Sequence, residues 1–246
     1  MSTTSTHGKK TKILFGSYDL SQWFREVDIE GTVELVDTTC FDQTAKSYIP
    51  GFADGKSSLS GLFGAKEALG TVDEIDEILS ALLGVETDTP VTIGQAGVAA
   101  VGDTVSMFKA KLPKYSVKAP AKDVVSTMAE LQAINGIRVG KVLAPLGAQT
   151  ATASGASVDN SAATSSGAIA HLHCTAASAS DTLDVIIEDS ADGATWATIG
   201  TFAQVAASSN ERLEISGNVR RYVRATWTIA GTAPSFTFSV ALARIY

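Results

Sequence analysis

His171, His173 and Cys174 stand together as HLHC, the densest group of metal-capable side chains in the sequence. On a strand the two imidazoles share one face and Cys174 turns to the other. A closed zinc site takes four nitrogen or sulfur ligands, and the remaining histidine is His7, near the start of the chain. Structural histidines are therefore expected here. Asp181, Asp184, Glu188, Asp189 and Asp192 fall on both faces of a strand and on a turn, which suits a solvated sheet edge better than a calcium loop. Arg220, Arg221 and Arg224 beside Tyr222 suggest a carbohydrate or phosphate patch; charges paired along an exposed strand face or at a subunit contact are the plainer reading. Lys109, Lys111, Lys114, Lys118 and Lys122 form the basic stretch, with only Tyr115 as an interleaved aromatic, so nucleic-acid binding there is not expected. Lys109 and Lys111 share a strand face, either wet or paired with acidic residues of another copy. The sequence has no GxSxG, phosphate-binding loop, dinucleotide fingerprint or HExxH. No catalytic, cofactor or metal site is expected, and no enzymatic activity.

The elements carrying these residues are mostly strands. Leu183, Val185 and Ile187 alternate, Asp192-Gly193 turns, and Trp196 to Phe202 returns. Val223, Ala225 and Trp227 share one face of a later strand, Tyr222 and Arg224 the other. Phe236, Phe238, Val240 and Leu242 alternate in the last. Strands at this spacing predict a small antiparallel sandwich or barrel over 167–246. Residues 147–166, rich in Ala, Ser, Thr and Gly, read as a linker or an extended surface loop. The segment 123–142 has helix formers at Met128 to Gln132, but Asn135-Gly136 between Val and Ile clusters favours a hairpin. A helix is expected over 71–83, with a capping box at Thr71 and Glu74, an apolar stripe of Val72, Ile75, Leu79 and Leu82, and a stop at Gly84. Residues 1–11 have little to bury and read as a flexible terminus.

Composition narrows the class. The chain has 246 residues, 18% charged, with a formal charge of −7. That balance argues against tight nucleic-acid binding, which needs a basic surface. No apolar run approaches bilayer-spanning length, and the first residues lack the apolar core of a signal peptide, so a soluble product made in the cytosol is expected. Cys40 and Cys174 form no CxxC and are expected as free thiols.

The stretch from Gly31 to Phe63 remains. Strand-like ends at Thr32 to Cys40 and Ser57 to Phe63 flank roughly sixteen residues without clear period, a length uncommon in compact domains unless it has a task. This arm, 40–57, carries Phe41, Tyr48, Ile49, Pro50 and Phe52 among polar neighbours, apolar surface that needs a place to bury. These five are the candidate inter-subunit contacts. Trp23 is expected as a core or interface anchor.

Asp19-Leu20-Ser21, the strand into Val36-Asp37-Thr38-Thr39, AKSYIPG at Ala45 to Gly51, Asp54-Gly55 and Ser58-Leu59-Ser60-Gly61 resemble the tail tube proteins of long-tailed, siphovirus-like bacteriophages. The stretch from DSADGATW through VRRYVRATWTIAGTAPSFTF looks like the second β domain appended to many of them. The resemblance implies a mainly β fold: a tail-tube-type β-sandwich or barrel with one flanking helix at 12–146, then an antiparallel β-sandwich at 167–246. It further implies sheet edges that join those of neighbours, and homo-oligomeric rings stacked into a tube. Hexameric rings are favoured, and trimers of a duplicated domain are the alternative. The partners would be other copies and other tail proteins (tape measure, tail terminator, distal tail). DNA would pass through the lumen without specific binding, and no membrane is involved. The product would reside in the virion after assembly in the host cytoplasm. Two other readings stay open: a carbohydrate-binding β-sandwich module using Trp196, Tyr222 and Trp227, and the tube protein of a related secretion or contractile system.

Overall fold

A computed structural model describes residues 8–64 and 75–246. In chain order the strands are β1 (Lys12–Phe15), β2 (Tyr18–Asp19), β3 (Phe24–Asp37), β4 (Tyr48–Leu62), β5 (Thr89–Gly94), β6 (Thr104–Lys118), β7 (Ser126–Gln149), β8 (Ala153–Ser154), β9 (Val158–Asp159), β10 (Ala168–Ala177), β11 (Thr182–Ser190), β12 (Ala197–Thr201), β13 (Ser209–Ile215), β14 (Tyr222–Ala230) and β15 (Phe236–Arg244). The helix α1 spans Ile75–Leu82, and a short 3-10 turn, Gly8–Lys10, precedes β1. The expectation of a mainly β chain with one flanking helix holds. No sheet closes on itself among the described residues.

The chain forms two compact units, one of Met1–Ser21, Pro90–Met107 and Arg138–Tyr246, the other of Gln22–Thr89 and Phe108–Ile137. In the first unit one sheet runs β13-β10-β15-β7-β6-β5-β1-β2 and a second runs β12-β11-β14-β8, with β9 also paired to β14. Leu172, Phe236, Phe238 and Val240 of the first sheet share a core with Val185, Ile187, Val223, Ala225 and Trp227 of the second. Trp227 meets Phe238 edge-on at 5.5 Å between ring centres, a geometry that aromatic quadrupoles favour. A second cluster, with Leu14, Val105, Met107, Val142 and Ala243, packs on the other side of the first sheet. β10 is thus buried on both faces, which explains why AIAHLHC is apolar or histidine throughout instead of alternating. Within residues 147–166, β8 and β9 pair with β14 through Ala153↔Trp227 and Val158↔Val223.

In the second unit β3 pairs with β4, β4 with β7, and β7 with β6. Leu59, Ala129 and Leu131 of this sheet are buried. α1 buries Ile75, Ile78 and Leu79, and Gly84 at φ +71° ends it as expected, since only glycine takes that backbone freely. Thr71, Val72 and Glu74 of the expected capping box and stripe lie outside the described residues. The hairpin expected around Asn135-Gly136 is absent: β7 runs straight through it. Asn135 and Gly136 do take positive φ, 62° and 75°. The left-handed pair that turn chemistry predicts is spent on an irregularity within one long strand, because paired strands flank both sides of the step.

Candidate functional site: an exposed β-hairpin

Strands β3 and β4 form one long hairpin. Pairing runs from Phe24↔Gly61 through Val27↔Leu59, Ile29↔Ser57, Gly31↔Gly55 and Val33↔Ala53 to Leu35↔Pro50, Val36↔Ile49 and Asp37↔Tyr48. The expected long irregular segment is thus largely strand, since Tyr48 to Lys56 continue the ladder. Periodicity is lost there for a physical reason. Between Val33↔Ala53 and Leu35↔Pro50 the register shifts, Glu34 facing both Gly51 and Phe52. Pro50 has no N–H to give the ladder, and a bulge beside it is how a strand absorbs that loss.

The base and the end of this hairpin differ sharply. At the base Leu59 and Ser57 are buried, Val27 and Ile29 half-buried. Gly55 sits where a Cβ would come within 2.7 Å of Ile137 Cγ1, so the strands cross a tight packing point there. Beyond it every residue from Gly31 to Val36 is exposed. Leu35 is 64% exposed, Ile49 53%, Tyr48 47%, Phe52 85%, and Phe41 is fully exposed. Directly opposed residues share a face, so Leu35 with Pro50 lies on one face and Val36 with Ile49 on the other. The ribbon is apolar on both faces, the composition of a strand buried on both faces.

The connection from Thr38 to Ser47 is held by its own polar groups. The Thr38 N–H donates to Ser47 O at 2.8 Å, the Ser47 N–H to Thr39 Oγ1 at 3.0 Å, and the Cys40 N–H to Gln43 Oε1 at 3.2 Å. Asp37 Oδ1 accepts from the Thr39 N–H and hydroxyl at 2.9 and 2.5 Å, which holds its carboxyl below the usual carboxylate range. These bonds fix the loop while Phe41 projects from it and Cys40 stays an exposed free thiol. All five sequence-predicted contact residues therefore fall on the outer half of one element, and Val33, Leu35 and Val36, which sequence reading missed, join them. Their β-branched and apolar run was the available signal, but it reads equally as a core strand.

The other face of the hairpin base is charged. Glu26↔Ser60↔Met128, Asp28↔Ser58↔Glu130 and Glu30↔Lys56↔Gln132 run across β3, β4 and β7, with Thr32↔Asp54 above them. Lys56 meets Glu30 at 3.0 Å, and Lys114 of β6 reaches Glu130. A shallow depression of about 240 Å³ lies among Lys56, Ser58, Pro113, Glu130 and Gln132. It is open and polar, without a buried reactive group. Lys109 and Lys111 pair with Asp88 of the same chain, at 2.9 and 4.0 Å.

The remaining candidates are held internally. Thr92 Oγ1 lies 3.1 Å from His171 Nδ1 and 2.8 Å from His173 Nε2, and His173 Nδ1 lies 2.7 Å from Gly16 O. Only one proton order fits neutral rings: His173 Nδ1–H donates to the carbonyl, Thr92 donates to His173 Nε2, and His171 Nδ1–H donates to Thr92. Among the described residues His171 Nε2 has no hydrogen-bond partner. Burial pushes both histidines down, His173 to about 4, with His173 and Arg212 adding to the effect on His171. Asp189 holds Arg220, Asp159 holds Arg221, and Glu188 holds Arg224. The Arg224 guanidinium covers the Trp196 ring at 4.1 Å, and Trp227 is buried with its Nε1–H donating to Ala151 O at 3.1 Å. The aromatic trio does not form a platform. Among the described residues no group of three or more His, Cys, Asp or Glu is placed to hold a metal ion.

No protein-family description matches this sequence, and no curated relative matches it. Solved structures resemble it in part. A chain from the virion of a native gene transfer agent particle aligns at 13% identity and TM-score 0.43, over 55% of this chain and 98% of that one. The SPP1 Dit protein, described as a hub adsorption apparatus protein of phages infecting Gram-positive bacteria, aligns at 12% identity and TM-score 0.39 over 96% and 99%. A chain of the SPP1 tail tube aligns at 10% identity and TM-score 0.41 over 54% and 78%. These are likenesses in the course of the backbone.

Proposed function

We propose that this chain is a non-catalytic structural subunit whose copies assemble into stacked rings, forming a phage-type tail tube through which DNA leaves the virion. The observation that carries the reading is the hairpin: long, ordered, apolar on both faces and yet exposed in the single chain. Large contiguous apolar patches on a monomer mark interaction surfaces, and a ribbon apolar on both sides needs cover from both sides. Neighbouring copies supply such cover in a stacked ring, around Tyr48, Ile49, Pro50, Phe52 and Phe41. The resemblance of AKSYIPG and its flanking residues to tail tube proteins supports the same assignment. The charge of −7 suits a passage that a polyanion crosses without adhering. Rings of six are the favoured order, with other tail proteins meeting the tube at its ends, in the virion. A tube protein of a secretion or contractile system would share this assembly.

Electron microscopy of the purified protein tests the reading. Rings or tubes with a central channel are expected, and a protein that stays monomeric at high concentration overturns it.

A further inference from the structure

In the first unit β10 stands far from β5, β1 and β2 in the order β13-β10-β15-β7-β6-β5-β1-β2, so no ladder joins them among the described residues, and yet β10 packs against β2. The seam between them is bridged by side chains. Thr92 of β5 touches both imidazoles, at 3.1 and 2.8 Å, and His173 Nδ1 lies 2.7 Å from the carbonyl of Gly16 in the β1–β2 turn. The Gly16 N–H donates to Pro90 O at 2.9 Å and Leu14 pairs with Thr92, so the turn and Thr92 are held as one piece. Gly16, Thr92 and both histidines are buried. We infer that His171, His173 and Thr92 form an acid-released latch: protonation of the imidazoles parts β10 from the β1–β2 turn and β5, while the second sheet of the same unit keeps its fold.

The latch closes only around neutral rings. His173 Nε2 accepts from Thr92, and a proton there sets N–H against O–H. A proton on His171 Nε2 makes a buried donor with no hydrogen-bond partner among the described residues. The ring centres are 5.7 Å apart, so two imidazoliums repel. Counter-charge is lacking on the elements around the pair. Arg212 of β13, opposite His171, is a further cation and bonds Glu214; Glu211 and Cys174 alternate to the other face. Lys12 of β1 and Asp19 of β2 pair at 2.7 Å, Asp19 also accepts from the Ser21 N–H at 3.0 Å, and Tyr18 of β2 is a phenol. β5 has no ionisable side chain, and Arg244 at the end of β15 donates to Ala162 O and Val219 O. The Val91 carbonyl favours charge on His171 and the Gly16 carbonyl favours it on His173, but burial outweighs both. Charged rings therefore need water, which they reach when the seam opens. The open seam binds protons near the ordinary 6.5 and the closed one lower, so the latch holds above pH 6.5 and loosens as pH falls toward 4.

Amide hydrogen exchange of the full chain at pH 7.5, 6.0 and 5.0, corrected for its intrinsic pH dependence, tests this. Between pH 7.5 and 5.0 the opening constant of peptides covering Lys12–Asp19 is expected to rise at least about a hundredfold, since two protons are taken up, while β11 and β14 stay protected. His171→Asn keeps an N–H toward Thr92 and removes one titrating ring, so its rise is expected to be about thirtyfold. The double variant His171→Asn with His173→Gln, first shown to be folded at pH 7.5 by circular dichroism, is expected to respond by less than about threefold. Unchanged protection of Lys12–Asp19 in the wild type overturns the latch. So does an equal loss across β11 and β14, which is unfolding of the whole unit. A folded double variant with the wild-type response overturns it as well, because any effect of assembly is common to both proteins. Where the double variant does not fold, the single one decides, and a response as steep as that of the wild type overturns the latch.

Discussion

At the scale of single residues, burial sets what the ionisable groups do. The imidazoles of His171 and His173 are held neutral, with folded-state values below the ordinary 6.5. An unfolded chain binds protons at these sites as pH drops below 6.5 and the folded one does not, so the stabilisation is complete above that pH. It is lost as pH falls toward 4, by about 3 kcal/mol for His173 alone. Urea unfolding of a non-assembling variant at pH 7.5, 6.0 and 5.0 is expected to show this decline. A flat profile contradicts the neutral pair. Gly61 is constrained by its backbone neighbours: a Cβ there would lie 2.1 Å from Trp23 O and 2.7 Å from Phe24 Cα. Neither is a flexible side-chain end that can move aside. Gly61→Ala is therefore expected to cost about 3 kcal/mol, read as a lower thermal midpoint.

At the scale of the element, the hairpin divides into a base that belongs to its own sheet and an end that no described residue covers. Tyr48→Asp is expected to abolish assembly and leave unfolding free energy within about 0.5 kcal/mol, since Tyr48 is 47% exposed. Light scattering and urea unfolding measure the two effects separately; an unfolded variant would place the hairpin in its own core. Cys40 gives a reporter without substitution. Its thiol is exposed and Cys174 is buried, so a maleimide is expected to label one site rapidly in monomers and slowly in tubes. Equal labelling rates would remove the loop from the contact.

At the scale of the whole molecule, the two sheets of the first unit enclose the aromatic and apolar side chains, and the charged groups of their outer strands pair with one another. Arg220 with Asp189, Arg221 with Asp159 and Arg224 with Glu188 leave little unsatisfied polarity for a sugar to meet. With Trp227 in the core and Trp196 covered, the full chain is expected to bind no immobilised glycan. Retention on a glycan array that Trp196→Ala removes would reopen the carbohydrate reading.

The sequence by itself determined the kinds of element and the residues with unburied apolar surface. Alternation in β11 and β14 reports one half-exposed face and one dry face, and that local pattern survives any arrangement of the strands. The AKSYIPG stretch also shows its apolar side chains among polar neighbours in the sequence alone. Only the tertiary structure decided that Tyr48 to Lys56 is strand, because its period breaks at the Pro50 bulge and its pairing with β3 is not local. It alone decided that Asn135-Gly136 lies within a strand, since the same left-handed pair serves a turn or a bulge and neighbouring strands choose between them. The grouping of Met1–Ser21 and Pro90–Met107 with Arg138–Tyr246 is likewise a matter of contacts between residues far apart in the chain.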